Sequence, residues 1–151
     1  MQILAIILAA GLSKRMKSAL PKVLHPLLGR PLIEYSLEAV KGVCPQKPVL
    51  VIGHAAEEVK KVVGEQAEYA IQRELLGTAD AVKSARKLLE GKSDLVLVVN
   101  ADLPLIESAS LRQLIEGQKT NSGPLALLTF LSDNSRGFGR ILRTADGDVQ
   151  A

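Results

Sequence analysis

Tryptophan is absent from this 151-residue chain, which has only two phenylalanines and two tyrosines. Its core must therefore be aliphatic. The aromatic platforms on which single-strand binders stack successive bases are not supplied either. Cysteine occurs once, at Cys44, which excludes a disulfide framework and a cysteine-rich zinc site. Beside Val43 it reads as a small buried filler. No apolar run approaches the ~20 residues that span a bilayer. Ile3–Ala10 is apolar enough to be mistaken for a signal segment, but no cation precedes it, and Lys14 and Arg15 follow it. The expectation is a cytoplasmic protein whose partners include no membrane and no nucleic acid. Internal repeats, low-complexity stretches and linkers are also missing, so the length is that of one domain with room for a real core.

Apolar residues make up 47% of the chain and charged residues 23%, the balance of an ordinary globular protein. The net charge of +3 is small but unevenly spread. Residues 1–33 carry Lys14, Arg15, Lys17, Lys22 and Arg30 and no acid, whereas the remainder holds 14 cations against 16 anions. A local site for a small anion fits that distribution better than a broad nucleic-acid face, although a solvated basic surface is the plainer reading of charge alone.

The apolar run Gln2–Leu8 predicts a strand buried on both faces. Leu20-Pro21-Lys22-Val23-Leu24-His25-Pro26 reads as extended because of its two prolines. Pro31 then opens a helix whose inward positions Leu32, Ile33, Ser36, Leu37 and Val40 recur at helical spacing, ending near Gly42. Further strands are predicted over Pro48–Ile52, Tyr69–Gln72, Asp94–Asn100 and Leu125–Leu131, with helices over Ala55–Val63, Gly77–Leu89 and Ser108–Gly117. Asp94–Asn100 reads as the most central strand. Strands alternating with helices at these lengths imply an α/β, Rossmann-like three-layer fold, a mainly parallel sheet with helices on both faces. Gly139–Thr144 reads as a strand and Asp146-Gly147 as a hairpin turn, after which the returning strand is short. The expectation is a single domain over 1–151 that is incomplete at its C-terminal end.

Leu8-Ala9-Ala10-Gly11 leaves the first strand and meets Lys14 and Arg15. Small residues let backbone N–H groups approach an anion, and cations then neutralise it. In an open α/β sheet, ligands gather where strands end in such loops. The loop is neither of the commonest kinds. A dinucleotide site needs Gly-x-Gly-x-x-Gly, but after Gly11 the next glycine is Gly29; a P-loop motif is also absent. His25 and His54 have no metal-binding partners at ligand spacing and read as structural or pocket-edge residues.

Leu8-Ala9-Ala10-Gly11-x-x-x-Arg15-Met16 followed by Leu20-Pro21-Lys22-Val23-Leu24 resembles the signature of the sugar-1-phosphate nucleotidyltransferases. Within that superfamily the chain is most similar to the bacterial uridylyltransferases that act on N-acetylglucosamine 1-phosphate. That similarity rests on Val51-Ile52-Gly53-His54, Leu76-Gly77-Thr78-Ala79, Asp102-Leu103-Pro104-Leu105-Ile106 and Gly137-Phe138-Gly139-Arg140. The resemblance implies an enzyme that binds UTP and a sugar 1-phosphate and uses Mg²⁺.

By that resemblance, Leu8, Ala9, Ala10 and Gly11 hold the nucleotide, and Arg15 and Lys22 are the catalytic cations on the phosphates. Gln72, Gly77 and Thr78 surround the uracil, Asn100, Ala101 and Gly139 line the sugar side, and Asp102 is the metal ligand. Several of these have plainer roles as well: a helix cap for Thr78, a turn for Asp102, strand geometry for Gly139. The family usually has glycine where this chain has Ala101, whose methyl is expected to narrow the approach to the sugar. The resemblance also implies a second metal ligand and further sugar contacts beyond Ala151, and an acetyltransferase half built of hexapeptide repeats. Oligomeric state is not implied by anything in the chain. The competing functions are another nucleotidyltransferase of the superfamily, with a different sugar phosphate or a molybdopterin substrate, and a non-catalytic nucleotide-sensing domain on the same fold.

Overall fold

A computed structural model describes residues 1–11, 16–134, 136–137, 139–147 and 149. Strand β1 (Ile3–Leu8) leads through a 3₁₀ turn at Lys22–Leu24 to a two-residue hairpin, β2 (Pro26–Leu27) and β3 (Arg30–Pro31). Its turn residues Leu28 and Gly29 have φ of 50° and 81°, the left-handed pair that a tight hairpin turn requires. Helix α1 (Leu32–Lys41), β4 (Val49–Ile52), α2 (Ala56–Val63) and β5 (Glu68–Ile71) follow. The described secondary structure ends with α3 (Thr78–Ser84), α4 (Arg86–Leu89), β6 (Leu95–Asn100) and α5 (Ser108–Thr120).

The four long strands form one parallel sheet in the order β5-β4-β1-β6. Alternation along each strand sends side chains to two separate cores. On one face Ala5, Ile7, Leu50, Ile52, Leu97 and Val99 pack with Ile33, Leu37 and Val40 of α1, Val59 and Val63 of α2, and Leu111 and Ile115 of α5. On the other, Ile6, Val49, Val51 and Ala70 meet Ala81 of α3, Ala85, and Leu89 of α4. Helices thus cover both faces, as the alternation of elements predicts. No helix among the described residues is long and apolar enough to cross a membrane.

Four expectations are corrected. The strand predicted as most central, β6, is an edge: β1 holds the inner place, and among the described residues β6 pairs with β1 alone. Its apolar run is continuous, yet burial alternates, with Leu97 and Val99 inside and Val96 and Val98 about 40% exposed. Leu125–Leu131, predicted as a strand, forms none, and Leu125, Leu127, Leu128, Phe130 and Leu131 lie exposed. The Gly77–Leu89 helix is two pieces. Ala85 turns tightly, its N–H bonding Val82 O at 3.1 Å, while Ala81, Ala85 and Leu89 keep one buried face. Residues 139–144 do not form a strand; the hairpin signal at Asp146-Gly147 survives as a single antiparallel bridge between Arg143 and Val149.

Candidate functional site

All four parallel strands deliver their C-terminal ends to the same edge of the sheet, so whatever follows them converges there. Ala9 N–H bonds Val51 O at 2.8 Å and Ala101 N–H bonds Leu8 O at 3.0 Å, pinning the turns after β1 and β6 to the neighbouring strands. Gln72 N–H likewise bonds Ile52 O at 2.9 Å. A Cβ on Gly53 would lie 3.0 Å from Ala10 O, so only glycine there leaves the Ala9-Ala10 turn undisturbed. The buried Ser36 Oγ donates to Asn100 O at 3.3 Å, tying α1 to the end of β6.

These ends enclose a cavity of about 370 Å³. Leu8, Ala9, Ala10 and Gly11 form one wall, Lys22 and Val23 another, Gln72, Leu75, Gly77, Thr78 and Ala81 a third, and Asn100 and Asp102 close it. A second space of about 370 Å³ runs along the free edge of β6 and the 124–128 segment, but its lining carries no charged side chain and none of the expected site residues except Asn100.

Most of the expected residues therefore meet. Lys22 Nζ lies 2.5 Å from Asp102 Oδ2, an ion pair about one-third exposed on each side, so a cation already neutralises that carboxylate. Gln72 is only 5% exposed. Its Nε2 donates to Gly77 O at 3.2 Å and to Asp80 Oδ2 at 2.9 Å. Gly77 sits at φ 107°, a left-handed conformation that starts α3 and that a β-branched or bulky residue would resist. Thr78 is the first residue of α3; Gly77 holds the cap position and no side-chain cap bond forms, which leaves Thr78 as a wall of the cavity.

Arg15 lies outside the described residues. Two of the others do not join the cavity. Ala101 is fully buried in the main core, so its methyl faces packing atoms and does not narrow any approach to the cavity. Gly139 is exposed and does not line the cavity. His25 is structural, its Nε2 within hydrogen-bonding distance of Leu20 O at 3.1 Å. Asp80 was not foreseen, and Ser36 was placed on the inward face of α1 without its bond to Asn100. Asp80 falls three residues after Gly77 in the first turn of a helix, where an acid has an ordinary role opposite the helix dipole. Ser36 stands alone among the apolar positions of α1, and that was the one available signal of a buried polar contact.

Among the described residues no group of three or more His, Cys, Asp or Glu side chains could hold a metal by itself. Asp102 is a single hard-oxygen donor already carrying a cation, which fits an ion that takes most of its ligands from water and phosphate.

Residues 5–137 match the MobA-like NTP transferase domain. The chain belongs to that family. The bifunctional protein GlmU of Bacillus licheniformis is 39% identical over 145 residues, covering 96% of this chain and 32% of the relative. The chain thus spans about a third of the length of the curated relatives it matches. Among solved structures, a manganese complex of Rv0371c from Mycobacterium tuberculosis superposes with a TM-score of 0.65 at 20% identity, over 78% of this chain and 60% of that one. CMP:2-keto-3-deoxy-manno-octonic acid synthetase complexed with CTP gives 0.64 at 20% identity, over 79% and 48%. These likenesses establish the fold of this NTP transferase domain.

Proposed function

We propose that this chain is the nucleotide-binding portion of a uridylyltransferase that moves a uridylyl group from UTP to N-acetylglucosamine 1-phosphate and releases pyrophosphate. The observation that carries the reading is one cavity assembled from four distant segments: a small-residue loop, Lys22, Gln72 with Gly77, and Asp102. The chain's likeness to GlmU and the CTP and manganese complexes of fold neighbours support a nucleotide and a divalent ion in such a site.

The backbone of Leu8–Gly11 and the Lys22 ammonium hold the triphosphate, with Arg15 as a second cation able to grip phosphate oxygens bidentately. An oxygen of the sugar 1-phosphate attacks the α-phosphorus of UTP in line, the α–β bridging bond breaks, and pyrophosphate departs with the electron pair. That nucleophile is ionised at neutral pH, so no general base is required. The protein's work is alignment and neutralisation of charge moving onto the leaving group. Asp102 would hold Mg²⁺, which when bound supplies further neutralisation of the phosphates. Asn100, Ala101 and Gly139 were assigned to the sugar side; of these, Asn100 lines the cavity.

Pyrophosphate release across a panel of nucleoside triphosphates and sugar 1-phosphates, alongside calorimetric titration of UTP, tests the reading. UTP is expected to bind, and turnover to be greatest with N-acetylglucosamine 1-phosphate. A folded chain with no affinity for UTP in the presence of Mg²⁺ would overturn it.

A further inference from the structure

We infer that Asp80 is the residue that sets base selectivity, by locking the Gln72 amide so that it presents only a hydrogen-bond acceptor to the nucleobase. The inference rests on the proposed function for the presence of a base in this cavity. Its structural part rests on local chemistry alone.

A carboxamide has two faces, one donating and one accepting, and can turn over to offer either. At Gln72 the choice is forced. Its Nε2 donates to Gly77 O at 3.2 Å and to Asp80 Oδ2 at 2.9 Å. Both are acceptors, one a carbonyl and one a carboxylate, so only the NH₂ end satisfies them. Turning the amide over would set Oε1 against two oxygens. Both Nε2 protons are therefore committed, and Oε1 is what the side chain has left. The buried side-chain acceptor without a partner among the described residues is Gln118 Oε1, so Gln72 Oε1 keeps contact with solvent, and the cavity that Gln72 lines supplies it.

An acceptor in that position selects bases by the proton on their pairing-edge ring nitrogen. Uracil carries N3–H and donates to Oε1. Cytosine has an unprotonated N3 there and meets Oε1 lone pair to lone pair; the adenine N1 does the same. Of the two locks, Gly77 O belongs to the backbone and is present whatever the sequence. Asp80 is the one the sequence can change, and its charge makes it the stronger partner. Asp80 does not touch the base; it is a positioning residue acting through Gln72.

The test measures UTP and CTP dissociation constants for the whole chain by calorimetry in wild type, Asp80→Asn, Asp80→Ala and Asp80→Lys. The Gln72 side-chain NH₂ resonances are followed by NMR without nucleotide and assigned by their loss in Gln72→Ala. Asp80→Asn can still accept through Oδ1, so the UTP-over-CTP ratio should stay within about threefold of wild type. Asp80→Ala should lower the ratio about tenfold by removing a charge-assisted hydrogen bond. Asp80→Lys replaces the acceptor by a donor that the Gln72 NH₂ cannot satisfy, so the amide is no longer held in one orientation and the ratio should fall further. The Gln72 NH₂ protons should exchange faster in Asp80→Ala than in wild type. Should Asp80→Lys not fold, Asp80→Ala carries the comparison.

A merely structural Asp80 would weaken UTP and CTP together, and an unchanged ratio in Asp80→Ala overturns the inference. Unshifted Gln72 amide resonances in that variant overturn it without reference to any nucleotide. A folded wild-type chain that binds neither nucleotide overturns the proposed function and withdraws the selectivity claim with it.

Discussion

Lys22 and Asp102 are held face to face although they lie 80 positions apart in the chain. In the proposed function the ammonium serves phosphate and the carboxylate serves a divalent ion, so each now occupies the other's ligand position. Lys22→Ala should weaken UTP binding by about tenfold or more through loss of a charge-assisted contact. The same substitution leaves Asp102 without this ammonium and should tighten Mn²⁺ binding, read by electron paramagnetic resonance; unchanged Mn²⁺ affinity would disprove competition for Asp102.

Cys44 gives a second residue-scale prediction. Burial pushes its thiol pKa above the usual range. Because the folded value exceeds the unfolded one, the stabilisation is complete below the unfolded pKa and is lost as pH rises through the folded pKa. Unfolding titrations should show Cys44→Ala less sensitive than wild type to pH above about 8.5. Native Cys44 should also resist alkylation that proceeds rapidly in urea.

Which residues were legible follows the range of their contacts. Leu8–Gly11, Lys22, Gln72, Gly77 and Asp102 belong to compact local motifs, and they line the cavity. The Gln72–Asp80 bond spans a strand end and a helix turn, and Ser36 meets Asn100 across layers. Local spacing marks Ser36 as facing inward but names neither bond's partner. Ala101 was misread for a related reason: its neighbours in sequence are site residues, but its neighbours in space are core.

At the scale of elements, periodicity located the helices and the four parallel strands, because each buries a face whose spacing the sequence records. It failed where an apolar run found no partner. Residues 125–131 have the composition of a strand but pair with none among the described residues, which leaves β6 at the edge of the sheet. At the α1–α5 junction the two helices approach closely. A Cβ on Gly42 would lie 2.2 Å from Ser108 Oγ and 2.8 Å from Ser108 Cβ. Ser108 Oγ itself donates to Ala39 O at 2.9 Å, and Arg112 donates to Gly42 O at 3.0 Å. Gly42→Ala should therefore destabilise the fold by about 1–3 kcal/mol through overpacking. Ser108→Gly in the same chain should recover part of the lost Tm, and full additivity of the two losses would show that the residues do not collide.

At the scale of the whole molecule, β6 presents apolar side chains to solvent. Val96 and Val98 stand about 40% exposed beside a run that includes Phe130 at 67% and Leu131 fully exposed. An unpaired apolar edge of this kind is a template for association. Val98→Lys should reduce binding of a hydrophobic dye and raise the concentration at which light scattering appears, with little change in far-ultraviolet circular dichroism.

The inner place of β1 also sets the order of events as the polypeptide acquires its shape. Ile6 has Val49 on one side and Val98 on the other, so the first strand made has its second flank filled only by the last strand of the sheet. Non-local pairing of this sort requires loop closure before contacts can reward it, and parallel sheets are slow to form for that reason. On a ribosome, Ile3–Leu8 must remain half-paired until residues 95–100 have cleared the exit tunnel. During that interval its exposed aliphatic edge is the natural hold for a chaperone, and a pause in translation before residue 95 would lengthen the window in which misassembly competes.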